Sequence, residues 1–216
     1  MKLAFIFAHP DDESLSTGGT IARYSSTGNK VSSLCLTSSN QRKNEFLEAT
    51  KILGVQDRII FDFPDVVNHT NEIQQKIIQF LLDTKPKIVV THFENDIHAD
   101  HRASFRIVKE SIEWAARETQ YNNPHIVSKL YSTETTTLIP DPHILVDISD
   151  YYDTKEEAIK CYKSQLKKGG EDFYIRFHKN RTLMRGTQAS VKHAEAFLQI
   201  PIRQNSPFYK SKHSEL

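Results

Sequence analysis

Two short polar stretches carry most of the reactive side chains, Ala8-His9-Pro10-Asp11-Asp12-Glu13 and His98-Ala99-Asp100-His101. Between them they offer His9, His98 and His101 as imidazoles and Asp11, Asp12, Glu13 and Asp100 as carboxylates. A catalytic zinc takes three protein ligands of nitrogen or oxygen type and keeps one position for water. His9, Asp12 and His101 form such a set. His9 and Asp12 lie three apart in a turn that Pro10 helps to enforce, so both can point at one ion. His101 would arrive from the second stretch. Asp11 and His98 are then left beside the ion as non-ligands. Asp11 suits a general base that takes a proton from a metal-activated water. His98 suits a donor to an oxyanion or to a leaving nitrogen, with Asp100 as the candidate to hold its ring and keep it protonated. The chemistry would be metal-assisted amide hydrolysis, with zinc or another divalent transition metal. His92 is a rival ligand, just ahead of the second stretch.

The elements between these stretches have to bring them together. Lys2 to Phe7 is an apolar run with the character of a buried strand, and the acidic turn sits directly at its end. A helix is expected over Leu15 to Ser25, a strand over Val31 to Thr37 and a helix over Arg42 to Leu53. Arg58 to Phe63 is a third strand, Asn71 to Asp83 an amphipathic helix and Lys87 to His92 a fourth strand. This β-α-β-α-β-α-β alternation predicts an α/β fold with a mostly parallel sheet and helices on both faces. Both reactive stretches then follow strands at the same carboxyl edge, where open α/β sheets bind ligands. A long helix is expected from Arg102 to Glu118, strands over Ser128 to Thr136 and Ile144 to Ile148, and a helix over Asp153 to Lys168. Phe173 to Arg185 mixes aromatic and basic residues without a clear assignment, and Glu195 to Leu198 is a short apolar piece.

The chain has 216 residues, 38% of them hydrophobic and 25% charged, which fits one soluble domain over 1–216. A formal net charge of +1 gives no global field toward nucleic acid or anionic membrane. No run reaches the roughly 18 apolar residues of a spanning helix. Cys35 and Cys161 have no metal-type spacing and read as reduced thiols, so a cytoplasmic location is expected. From about residue 206 the chain is polar and is expected to be loosely held.

The pair of motifs resembles the LmbE-like, or PIG-L-type, zinc deacetylases, which remove N-acyl groups, usually acetyl, from glucosamine conjugates. Ala8 to Glu13 matches the family's first motif at every position. His98 to His101 matches its His-Pro-Asp-His, with Ala99 in place of proline. Arg42-Lys43-Asn44-Glu45, Leu53-Gly54-Val55, Thr91, Arg185-Gly186 and Ala194-Glu195-Ala196-Phe197 also fit. The resemblance implies a Rossmann-like three-layer fold. It also implies zinc on His9, Asp12 and His101, Asp11 as base, His98 as acid or oxyanion stabiliser supported by Asp100, and Arg42 on the sugar. The implied partner is a small amino-sugar substrate rather than nucleic acid, and several members of the family assemble into oligomers. The family's acidic-glycine loop after the second strand is replaced here by Thr37-Ser38-Ser39-Asn40-Gln41, which leaves sugar specificity open.

Asp65, after the third strand, is a candidate for a sugar hydroxyl or a plain turn residue. Arg176, His178, Arg181 and Arg185 are candidates to meet an anionic aglycone or to form a solvated face. Gly18-Gly19 suits close helix-to-sheet packing, and Trp114, Phe105, Tyr151 and Tyr152 suit the core. Two other readings keep the metal motif: hydrolysis of a different N-acyl amide, and a non-catalytic sugar-binding module. A nucleotide-binding reading is disfavoured because no Gly-x-Gly-x-x-Gly follows the first strand.

Overall fold

The computed structural model describes residues 1–169 and 171–202, and the tail expected from 206 lies outside them. The elements run β1 (Lys2–Phe7), α1 (Asp12–Ser26), β2 (Lys30–Thr37), α2 (Asn40–Ile52), β3 (Asp57–Phe63), α3 (Thr70–Thr84), β4 (Ile88–His92) and α4 (Ala99–Ala115). They continue with β5 (Lys129–Thr133), β6 (Ile144–Asp147), α5 (Tyr152–Lys160), α6 (Lys163–Gly169), α7 (Glu171–Gln188) and β7 (Ala194–Ile200).

The seven strands form one sheet in the order β3-β2-β1-β4-β5-β7-β6. All pairings are parallel except those of β7, which runs antiparallel to both β5 and β6. The order reverses between β1 and β4, which pair through Leu3–Ile88 and Phe5–Val90. β1 is buried on both faces, which is why it reads as a continuous apolar run. Ala4, Ile6 and Ala8 join the core beneath α3 and α4. Leu3, Phe5 and Phe7 join the opposite core with Ile21 of α1, Phe46 of α2 and Ala158 of α5. A Cβ on Gly19 would meet the Ile148 side chain at 2.6 Å, so the glycine is needed for close packing, as expected.

Two expectations change. The helix expected over Asp153 to Lys168 is split into α5 and α6. Tyr162, at the break, donates to Glu13 Oε1 (2.5 Å), and Glu45 of α2 accepts from both Ser164 N (2.9 Å) and Ser164 Oγ (2.6 Å). These buried bonds cap a new helix start where periodicity alone would run on. The strand expected to be last is followed by β7, which supplies β6 with its only partner strand among the described residues.

Helix α1 contains one non-helical residue, Thr17, with φ −135°. The kink frees backbone groups that must be satisfied elsewhere. Glu195 of β7 accepts from Gly19 N (3.1 Å) and Thr20 N (2.8 Å). Leu15 O accepts from Lys155 Nζ (2.9 Å) and Arg181 Nη2 (2.5 Å). Lys155 and Glu195 also pair directly at 2.5 Å, both fully buried. Removing one partner leaves an uncompensated buried charge. Glu195→Gln is therefore expected to lower stability by about 3 kcal/mol, seen as a Tm drop of roughly 6–12 °C for a chain of this size. A loss below about 1 kcal/mol would contradict this account of the kink.

Candidate metal and catalytic centre

The reversal of strand order between β1 and β4 opens a crevice at their carboxyl ends. β1 feeds α1 and β4 feeds α4 across this point, so both helix N-termini meet there. Each puts acidic residues in its first turn, Asp12 and Glu13 in α1 and Asp100 in α4, where the helix dipole favours them. The turn between β1 and α1 is tight. His9 N donates to Asp12 Oδ2 at 2.8 Å, and Leu15 N donates to Asp11 O at 2.9 Å. Asp11 itself adopts φ 121°, a strained conformation for a residue with a side chain. It holds the Asp11 carboxylate and the Asp12 carboxylate in different directions at adjacent positions.

Asp12 is the hub of the crevice. Its Oδ2 lies 3.4 Å from His9 Nδ1 and 3.3 Å from His92 Nε2, and its Oδ1 lies 3.4 Å from His101 Nε2. Donors on a tetrahedral zinc with bonds near 2.0–2.1 Å stand about 3.3 Å apart. The contacts of Asp12 with His9, His92 and His101 are all of that length, the first two through Oδ2 and the third through Oδ1. Donor atoms of His9, His98 and His101 all lie within 4.8 Å of one another, as do those of Asp12, His92 and His101; the two sets share His101, and the expected trio of His9, Asp12 and His101 draws on both. The residues present therefore fit a divalent cation of the zinc type.

His92 stands in one of the two donor sets, but both of its nitrogens are engaged within the fold. Its Nε2 accepts from Ala8 N at 2.8 Å, so its proton is on Nδ1, which donates to Thr135 Oγ1 at 2.9 Å. Burial, together with the nearby His101, pushes its pKa down to about 4, so the ring is neutral. Both nitrogens are committed, and the ring packs face to face on His101 with centroids 3.8 Å apart. His92 is thus a platform beneath His101.

The charges in the cluster compensate one another. Burial alone raises Asp12, but the His101 imidazole holds it well below the carboxylate range. Burial alone lowers His101, but Asp12 and Asp96 push it up to about 10. His9 is also raised, with Asp12 overcoming the cost of burial. Protons held this way are those a divalent cation displaces on binding.

The other expected residues divide. Asp11 is buried and accepts from Arg42 Nη2 at 2.7 Å, and Arg42 also reaches Pro10 O. Burial and the adjacent Asp12 carboxylate push Asp11 up to about 8, against the pull of Arg42. His98 caps α4 and stacks on His101 with centroids 4.6 Å apart. Its Nδ1 accepts from Asp100 N at 3.2 Å, which leaves the ring proton on Nε2. The Asp100 carboxylate is not on His98, where it was expected. One oxygen faces His9 Nε2 at 3.0 Å, and the other accepts from Val66 N and Val67 N at 3.0 Å each. The loop after β3 supplies those amides, so the carboxylate orients His9, a candidate ligand. Asp65 is not brought to the crevice. Its carboxylate accepts from Asn68 N at 2.8 Å and faces His69, as a turn residue does.

Above the crevice lies a cavity of about 440 Å³. His9, Asp11, Asp12 and His101 form its floor and Arg42 one wall. The lining is completed by Gln165 of α6 and by Phe173, Tyr174, Phe177 and His178 of α7.

The sequence profile of the PIG-L family, described as GlcNAc-PI de-N-acetylase, matches residues 4–112, from β1 through most of α4 with both reactive loops. The chain belongs to the PIG-L family. It is 24% identical over 193 residues to a probable N-acetyl-alpha-D-glucosaminyl L-malate deacetylase 2 of Bacillus cereus, covering 79% of this chain and 86% of that one. The conserved protein TT1542 of Thermus thermophilus superposes with a TM-score of 0.82 at 28% identity, over 97% of this chain and 99% of that one. GalB, a 4-carboxy-2-hydroxymuconate hydratase of Pseudomonas putida, shares the fold with a TM-score of 0.79 at 21% identity, over 96% of this chain and 100% of that one. The fold thus serves more than one chemistry, and function follows from the side chains at the site.

Three contributors to the site had no role assigned from sequence. Asp96 stands 3.2 Å from His101 Nδ1 and accepts from His98 N, Thr136 N and Thr137 N, tying the second loop to the segment after β5. Thr135 orients His92, and α7 supplies the aromatic wall. For α7 a signal existed: Phe173 and Phe177, and Tyr174 and His178, are each spaced i,i+4. Of the basic residues there, Arg181 and Arg185 are buried and spent on Leu15 O, Thr135 O and Glu134, while Arg176 is exposed.

Thr135→Val removes the acceptor of both Ser16 Oγ and His92 Nδ1. The expected cost is about 1–3 kcal/mol in thermal unfolding. In the unchanged protein, nitrogen NMR of His92 is expected to show the Nδ1–H tautomer, and the Nε2–H form would contradict the assignment.

Proposed function

We propose that this PIG-L protein is a zinc-dependent N-deacetylase that hydrolyses the N-acetyl group of a small amino sugar or glucosamine conjugate. The observation that carries the reading is a buried carboxylate, Asp11, beside a compact His/Asp donor set of which it is not a member. A site built only to hold a metal or a sugar has no use for it. The family match and the named activity of the Bacillus cereus relative support the same reaction class.

His9, Asp12 and His101 would hold the ion, with Asp100 orienting His9. When bound, zinc supplies a Lewis acid that acidifies water and polarises a carbonyl. Asp11 takes the proton of the attacking water. The water oxygen bonds to the acetyl carbon, the carbon–nitrogen bond breaks, and the proton passes from Asp11 to the departing amine nitrogen. Acetate and the free amine result. A cation beside Asp12 reverses the charge that raises Asp11, so Asp11 can start the cycle ionised. Arg42, fixed on Asp11 and facing the cavity, aligns the base and is placed to meet a sugar hydroxyl. Burial and the neighbouring His101 lower the His98 pKa, so the ring is neutral. It therefore serves as an Nε2–H donor to the developing oxyanion.

The test is acetate release from a panel of N-acetylglucosamine conjugates by zinc-loaded protein, with a chelated control. Chelator-sensitive release is expected. Asp11→Asn is expected to keep its metal and lose on the order of 10³-fold in kcat. No release from any panel member by metal-loaded protein would contradict the proposal, as would full activity in Asp11→Asn.

A further inference from the structure

Helix α7 brings to the cavity one polar side chain that has no partner in the fold. His178 is only 4% exposed and borders the cavity. Its Nδ1 is enclosed and without a hydrogen bond, and Nε2 has none either among the described residues. The ring meets Phe177 edge-on with centroids 5.1 Å apart, and Tyr174 lies at 6.1 Å. Leaving a buried polar atom unpaired destabilises a fold, and native proteins pair the large majority of such atoms. The other imidazoles around the crevice each face a polar group: His9 faces Asp100, His92 faces Ala8 N and Thr135, His98 faces Asp100 N, and His101 faces Asp96. His178 stands apart from them.

Charge does not account for the ring. Burial, with the Arg181 and Lys155 cations nearby, holds His178 well below the usual imidazole range, so it is neutral. Those cations are themselves taken up, Arg181 by Thr135 O and Leu15 O and Lys155 by Leu15 O and Glu195. The Asp12 carboxylate also bears on His178, so the ring lies within the field of the cavity floor.

We infer that His178 is a specificity-determining residue whose open nitrogen hydrogen-bonds a hydroxyl of the amino sugar that carries the acetamide. The inference deepens the deacetylase reading and rests on it for the identity of that sugar. Because Nδ1 is enclosed, Nε2 is the atom through which the ring can meet a ligand. A neutral imidazole presents either a donor or an acceptor there, according to which nitrogen keeps the proton, and a hydroxyl can answer both. An ammonium group would meet the field of Arg181 and Lys155. A carboxylate would leave water for one neutral donor at most. The reach of the Asp12 field to the ring matches a sugar bound over the floor rather than a distant aglycone.

The test uses the full-length zinc-loaded protein with methyl N-acetylglucosaminide and its 3-, 4- and 6-deoxy analogues. His178→Leu is expected to keep its zinc, to melt at the same or a higher temperature, and to lose about tenfold in kcat/KM on the parent sugar, mostly through KM. One deoxy analogue is expected to lose as much in the unchanged protein and nothing further in the variant, which identifies the hydroxyl. His178→Gln, which keeps a donor and an acceptor, should recover most of the loss. A uniform fall in kcat on the parent and all three analogues would overturn the inference, as would an unchanged kcat/KM. A Tm lowered by more than about 4 °C in His178→Leu would also overturn it, by showing that the ring serves the fold. If no sugar releases acetate, the deacetylase reading fails, and nitrogen NMR of His178 still decides the contact. A shift of Nε2 on adding the parent sugar that one deoxy analogue does not produce supports it. No shift, or the same shift with every analogue, overturns it.

Discussion

A carboxylate taken out of water stays ionised only if its surroundings replace the lost solvation. Asp12 is nearly fully buried at the start of α1, and the arrangement of the active edge follows from how it is compensated. A backbone amide, His9 N, bonds it directly, and the imidazoles of His9 and His101 stand within 3.4 Å of it. The N-terminus of α1 adds its dipole. These groups can converge only where β1 and β4 lie side by side and diverge into different helices. The strand order therefore places the chemistry as much as the side chains do. Each imidazole is fixed by a partner of its own: Asp100 on His9, Asp96 on His101, and Thr135 with the Ala8 amide on His92. A preorganised set of this kind gives up little entropy when it takes an ion.

A second buried ionic system sits one layer further out and sets the shape of the cavity. The kink at Thr17 leaves amides and a carbonyl of α1 without helical partners, and Glu195, Lys155 and Arg181 satisfy them from three different elements. Arg185 meets Glu134 and Ile139 O in the same region. Burying so many charges gives little net stability compared with apolar packing. It does fix where α7 lies relative to α1 and β5, and α7 lines the cavity. The C-terminal third of the chain thus completes a site whose reactive groups all come from the first half.

Much of this was legible in the sequence, for identifiable reasons. Strong apolar periodicity marked β1 to β4 and the intervening helices, and the reactive residues fell directly after two of those strands. The sequence favoured His101 over His92 as a ligand, but the hydrogen bond that engages His92, from Ala8 N across 84 positions, was not legible in it. The Asp100 carboxylate was paired with its sequence neighbour His98, whereas the fold turns it toward His9 and the Val66 and Val67 amides. Asp65 looked like a site residue because it follows a strand, but local turn bonds occupy it. The break between α5 and α6 was invisible because Glu45 and Glu13, which cause it, come from distant segments. β7 is short and carries a charged residue, Glu195, whose burial makes sense only beside Lys155.

The most direct test of the central claim is the coordination shell of the bound ion. Crystals soaked in zinc, with anomalous data at the zinc edge, are expected to show one ion held by His9, Asp12 and His101. His92 should remain bonded to Ala8 N, and Asp11 should stay outside the shell. An ion held by His92, or an ion coordinated by Asp11, would contradict the account. In either case the residue assigned as platform or base would have to be a ligand.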